Sequence, residues 1–200
     1  MIKSVSTFIT QYLRTNNTSL TEKDTLKIQY TLEVVLGDLS KFIIIFLIFL
    51  MLKEIPLFLL SFIILNSTRP LLGGLHCKTY YSCLMFSTLY FLIIFLLSNL
   101  APKLNINFYI IFFAMYFIIT IAFAPCRNEK RPIKNKATLK ILSLISLTFW
   151  CILFFKISNT KICNCIFLSI FFQIVQVIIV TLKGGVFNDK IYKRFFSNTT

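Results

Sequence analysis

The chain predicts an all-α fold, a polytopic integral membrane helical bundle. Three observations carry this. It is 57% hydrophobic with 23 Phe, only 14% of its residues are charged, and its mean hydropathy is +0.81. A soluble domain carries about 25% charged residues. Several apolar runs approach the roughly 20 residues that cross a hydrocarbon core. The 200 residues are short enough for one membrane domain.

The elements follow in chain order. Val5, Phe8, Ile9, Tyr12 and Leu13 share one helical face, with Lys3, Gln11 and Arg14 off it. This predicts an N-terminal amphipathic interfacial helix lying on the bilayer. No cleavable leader pattern precedes it. Residues 15–19 read as a loop. Thr21 to Asp24 resembles a capping box, with Asp where Glu or Gln is usual. Ile28, Leu32 and Val35 line one face of the helix that it opens. Six apolar segments come next, at 42–52, 55–65, 80–97, 108–125, 141–155 and 162–182. The first two are short and separated only by Lys53-Glu54. They read either as longer spans, extended back toward Val34 and on toward Leu75, or as a re-entrant hairpin. The organisation expected is an amphipathic region 1–36, a transmembrane domain 37–182 and a tail 183–200. The domain contains a catalytic segment 66–83 and a basic loop 126–140.

Net charge is +14. If all six segments cross and the N-terminus is cytoplasmic, only Lys53, Lys103, Lys156 and Lys161 of the 21 Lys and Arg fall outside. That asymmetry is what the positive-inside rule expects. A re-entrant first hairpin gives the same sides. Either way residues 66–79 face the cytoplasm. The basic residues of 127–140 read first as a solvated, topology-setting loop. They lack interleaved aromatics, so nucleic acid is not an expected partner; the lipid bilayer is. The tail from Lys190 to Arg194 reads as a membrane-surface segment.

Six cysteines form no framework of disulfide spacing, and one histidine without clustered carboxylates makes no metal site. No metal or cofactor is expected. Most of the thiols read as small packing residues. Gln173 and Gln176, at i and i+3 inside the last apolar run, read as helix–helix contacts rather than substrate contacts. Trp150 and the tyrosines read as interfacial anchors or packing.

One stretch carries chemistry. Arg69, Gly73, Gly74, His76 and Cys83 lie where the apolar chain turns briefly polar. An imidazole beside a thiol takes its proton and makes it a nucleophile for acyl transfer. Taken alone, each residue has a plainer role: a lone interfacial histidine, one packing cysteine among six. Cys77 is a rival nucleophile. No carboxylate is close by in sequence, so the pair reads as a dyad, or as one oriented by a neutral group such as Asn66. Seven residues along one straight helix separate two side chains by about 10.5 Å. A working pair therefore requires that 76–83 not be one straight helix.

This set resembles the accessory gene regulator protein B family (AgrB). So do Ala124-Pro125 and the basic segment Arg127 to Ile133, the amphipathic start and the order of spans. The resemblance covers most of the chain. It implies a membrane cysteine endopeptidase of Gram-positive quorum sensing in the bacterial cell membrane, multi-pass, with its active site on the cytoplasmic side. The implied substrate is an AgrD-type propeptide. Its C-terminal part is removed and the new end cyclised to a thiolactone or lactone. Cys83 would be nucleophile and His76 general base. Arg69 and Gly74, beside Gly73, match positions that the family needs. Arg127, Lys130 and Arg131 match its basic loop, here interrupted by Glu129. A homodimer is also implied. The competing reading is a small transporter or channel subunit, against which stand the few ionisable groups in the spans.

Overall fold

A computed structural model describes residues 2–17, 20–74, 79–125 and 135–185. Among these it has seven helices and no strand. They are α1 (Ile2–Asn16), α2 (Glu22–Met51), α3 (Ile55–Leu72), α4 (Tyr80–Leu100), α5 (Ile106–Phe123), α6 (Lys136–Lys156) and α7 (Thr160–Gly185). All but α1 are long and apolar enough to cross a membrane. The chain is an all-α, multi-pass membrane protein. It divides into two compact units, one to Ile55 and one from Pro56.

In the first unit, α1 and α2 pair through a polar seam. The Ser6 hydroxyl is 3.3 Å from Glu33 Oε1, and Gln29 Nε2 donates to Thr7 Oγ1 at 3.2 Å and to Glu33 Oε1 at 3.3 Å. Ser6 and Thr10 are buried, whereas Phe8 is 71% and Tyr12 61% exposed. The helix thus turns its polar face to its neighbour and its apolar face outward, as an interfacial helix does when lipid is its solvent. Thr21 caps α2 by accepting from the Asp24 N–H, as the sequence signal predicts. The reciprocal bond differs: the Thr21 hydroxyl donates to the Asp24 carboxylate at 2.6 Å.

The first two apolar runs are not short. Lys41 pairs with Asp38 along the helix surface, and α2 continues unbroken through both to Met51. It then closes in a Schellman motif: Lys53 adopts φ 58°, its N–H bonds the Leu50 carbonyl, and the Glu54 N–H bonds Phe49. The run that starts at Ile55 extends to Leu72, because Asn66, Ser67 and Thr68 are carried as helix. Ser67 and Thr68 return their hydroxyls to the Ile64 carbonyl. Short length was the premise of a re-entrant hairpin, and that premise is gone.

The second unit packs α3 to α7 around α7. Tyr109, Phe112, Phe113, Trp150, Phe154, Ile166 and Ile170 form the centre of the main core. Rings interlock across it: Tyr109 and Phe154 centroids are 4.7 Å apart, as are those of Phe112 and Phe167. Large apolar side chains such as Phe86, Leu96, Ile111, Ile118, Ile145 and Phe149 face outward. Small polar ones (Ser61, Thr68, Ser98, Thr120, Ser143, Ser169) are buried. This inside-out distribution is that of a bundle dissolved in lipid.

Trp150 is buried rather than interfacial. Its Nε1–H donates to Ser67 Oγ at 2.9 Å, tying α6 to α3. Cys163 and Cys165 are packing residues whose thiols reach carbonyls of Ile157 (3.0 Å) and Leu57 (3.6 Å).

Candidate functional site

α3 ends at Leu72, just after a proline and before two glycines. Pro70 lacks an N–H, which weakens the last turn, and Gly73 follows with φ 92°, a left-handed value that favours glycine. The Gly73 N–H closes α3 onto the Arg69 carbonyl at 2.9 Å. The Gly73 carbonyl accepts a 2.8 Å bond from Gln173 Nε2 in the bundle interior, and Ser67, earlier on α3, meets α6 at Ser146 and Trp150. The turn follows directly on the membrane-spanning stretch of α3, which ends at Leu72. Irregular backbone there needs protein partners, and Gln173 is one.

Gly74 is confined. A Cβ there would lie 3.0 Å from Arg69 Nε, 3.2 Å from Arg69 Cγ and 3.1 Å from Gln176 Oε1. The Arg69 side chain thus runs forward over the end of α3 to Gly74, and the Gln176 amide oxygen borders the same space. The Tyr90 hydroxyl of α4 donates to the Ser169 carbonyl of α7 at 3.2 Å. Arg69, Gly73 and Gly74 are brought together, and α7 holds them.

Cys83 comes to the same level from α4. Thr79 is extended (φ −118°, ψ 153°) and caps α4 by accepting from the Ser82 N–H at 3.3 Å. The Cys83 N–H then makes a helical bond to the Thr79 carbonyl at 3.1 Å. Cys83 is in the first turn of α4, half-buried. The helix that carries Cys83 begins at Tyr80, with Thr79 extended before it. α4 runs antiparallel to α7: Tyr90 meets Ser169, and Ile94 packs with Cys165. From the Tyr90–Ser169 pair, seven residues back along α4 and seven forward along α7 set Cys83 level with Gln176. Gln176 is the residue that flanks Gly74 and Arg69.

His76, Cys77, Arg127, Glu129, Lys130, Arg131 and the tail from Lys190 to Arg194 lie outside the described residues. Asn66, offered as a group to orient the histidine, is exposed on α3. Glu33 and Asp38 are engaged within the first unit by Ser6, Gln29 and Lys41. Among the described residues no group of His, Cys, Asp and Glu is arranged to hold a metal ion.

The glutamines of α7 were legible as a pair needing partners, but not as partners of this turn. The only signal was two amides within an apolar run. The Thr79 cap was legible as a threonine three residues before a serine, a weak mark in a polar stretch.

Over residues 6–177 the chain matches the family described as Accessory gene regulator B. An AgrB-like protein of Clostridium beijerinckii is 66% identical over 200 residues, covering 100% of both chains. No solved structure matches this chain.

Proposed function

The chain belongs to the Accessory gene regulator B family, which gives it an accessory gene regulator role, and from that membership we propose that it is a cysteine endopeptidase and cyclase for a quorum-sensing propeptide. The observation that carries the proposal is the convergence of Arg69, Gly74 and Cys83 at one level of α7, through Gln176.

The chemistry follows from a thiol in a site walled by apolar helices. The Cys83 sulfur attacks the carbonyl carbon of the scissile peptide bond. Its proton passes to the His76 imidazole and on to the leaving amine. The C–N bond breaks, the C-terminal fragment departs with a free amine, and a thioester remains on Cys83. The propeptide's own cysteine then attacks that carbonyl. The acyl group moves to its sulfur, and Cys83 recovers its proton. One thioester replaces another, so little free energy is lost provided water does not intercept the intermediate. An internal serine would give a lactone by the same steps. The burial of the Gln173 side chain that holds the Gly73 carbonyl supports such exclusion.

The site faces the cytoplasm in this reading, on the strength of the Lys and Arg distribution. Arg127, Lys130 and Arg131 attract an acidic propeptide tail. The outward apolar face of α1 shares the interface with an amphipathic propeptide leader, raising its local concentration. The working form is a homodimer.

The test is propeptide cleavage in membranes by Cys83→Ala and His76→Ala, with Cys77→Ala as control. Both site variants are expected to lose cleavage and the control to keep it. Mass spectrometry should find an acyl adduct on Cys83. Cleavage unchanged in both site variants would overturn the assignment.

A further inference from the structure

The Gln173 amide makes one bond, and it is not to its own helix. Its Nε2–H donates to the Gly73 carbonyl at 2.8 Å. Only the NH2 end of the amide can face a carbonyl. Its Oε1 is buried without a hydrogen-bond partner among the described residues, and the side chain is fully enclosed. In an apolar interior that orphan acceptor is a cost. An apolar side chain of the same size would pack into the core as well and avoid it. What the amide supplies is a donor for a carbonyl that irregular backbone leaves without a helical one in the bundle interior.

The carbonyl it holds is placed with consequence. Gly73 is the residue at which the chain leaves α3, with φ 92°. Gly74, next to it, has no room for a side chain beside Arg69 and Gln176. Four residues, 75–78, join this point to Thr79, the cap of the helix that carries Cys83. His76 is two residues beyond Gly74 in sequence. The direction of the Gly73 peptide therefore sets where the catalytic segment begins.

We propose that Gln173 is a positioning residue for acyl transfer: by holding the Gly73 carbonyl against α7 it fixes the start of the segment that delivers His76 toward Cys83. The inference rests on the cysteine-peptidase reading, and it touches no reacting atom itself. Loss of the bond loosens the geometry of the dyad and leaves propeptide binding intact.

Two replacements separate this from a packing role. Gln173→Met keeps length and volume but has no donor. Gln173→Glu keeps the shape; as the uncharged acid that an apolar interior enforces, it has an O–H to offer Gly73. If the bond matters, Met lowers kcat for propeptide cleavage by about ten- to a hundredfold with KM within about twofold. Glu retains more activity than Met. If packing matters, the order reverses. Hydrogen–deuterium exchange across Gly73 and Gly74, on the full chain in nanodiscs, should rise in Met and stay near the parent in Glu. Should the Met variant fail to reach the membrane, Gln173→Asn carries the same test. It keeps the amide and falls short by one methylene, about 1.5 Å.

Met equal to the parent in both kcat and exchange, or Met more active than Glu, overturns the proposal. Cys83→Ala is run alongside. Cleavage persisting there sinks the peptidase reading, while the exchange measurement still decides whether Gln173 holds the turn.

Discussion

The Cys83 N–H bonds the Thr79 carbonyl at 3.1 Å, so the cap of α4 and the proposed nucleophile belong to one helical turn. Thr79 accepts from Ser82 N–H through its hydroxyl, which also lies 2.9 Å from Ser82 Oγ. Removing that hydroxyl removes a cap of about 1 kcal/mol. Thr79→Ala should therefore fray the first turn and slow propeptide cleavage by up to about fivefold, the rate equivalent of that energy. Thr79→Ser should keep the parent rate. Single-turnover cleavage in membranes checks both. A Thr79→Ala rate equal to the parent would separate the cap from the placement of Cys83.

Gly73 and Gly74 should respond differently to alanine. At Gly73 a side chain meets backbone strain, since φ is 92°, and the left-handed region costs an L-residue about 1–2 kcal/mol. Gly73→Ala is expected to lower the unfolding midpoint in detergent and to cut cleavage. Gly74→Ala meets neighbours instead: Arg69 Nε at 3.0 Å and Gln176 Oε1 at 3.1 Å must each give way. Its stability should stay near the parent while cleavage falls, because Arg69 is displaced. Pairing Gly74→Ala with Gln176→Ala frees one wall and should recover part of the loss. Recovery absent, with Gln176→Ala itself active, would place the whole effect on Arg69.

How much of this could be read beforehand follows from where the determinants sit. The apolar runs and the face shared by Val5, Phe8 and Tyr12 are periodic, so composition and spacing carried the bundle and the interfacial helix. The Thr21 cap is local, four residues long, and was legible for the same reason. The extent of α3 was legible only as one of two alternatives, a span continued toward Leu75 or a re-entrant hairpin. Its last turns hold Asn66, Ser67, Thr68 and Pro70, which resemble a loop by composition; they are helical because the Ser67 and Thr68 hydroxyls bond Ile64 and Ser67 meets Trp150. The role of Gln173 rests on a contact with Gly73 across 100 residues. No local pattern encodes such a contact.

Trp150 and Ser67 make a testable pair of their own. The indole N–H donates to Ser67 Oγ at 2.9 Å within the bundle interior. Trp150→Phe removes the indole donor and ring volume, while the Ser67 hydroxyl keeps its bond to the Ile64 carbonyl. Ser67→Ala leaves an unpaired indole N–H, at a cost of about 1–3 kcal/mol. Each single variant should lower the melting midpoint in detergent. The double variant should fall by less than the two single losses combined, since the second removal no longer orphans a partner. Strict additivity would show that the bond contributes nothing beyond packing.

The outward face of α1 gives the last prediction. Phe8 is 71% exposed while Ser6 is buried beside Glu33. If lipid is the solvent of that face, a tryptophan replacing Phe8 should sit among acyl chains or headgroups. Trp150 is the sole tryptophan of the chain, so the probe is Phe8→Trp in a Trp150→Phe background. Its emission should be blue-shifted in vesicles and quenched by lipids brominated near the headgroup. Ser6→Trp should instead break the α1–α2 seam, because Ser6 Oγ contacts Glu33 and has no room around it, and should expose α1 to protease. Phe8→Asp should leave the seam intact and protease-resistant while weakening propeptide cleavage, through loss of the shared interface rather than of the fold. Emission from the position-8 probe typical of water, unquenched by any brominated lipid, would detach α1 from the membrane surface and with it the shared-interface account of substrate capture.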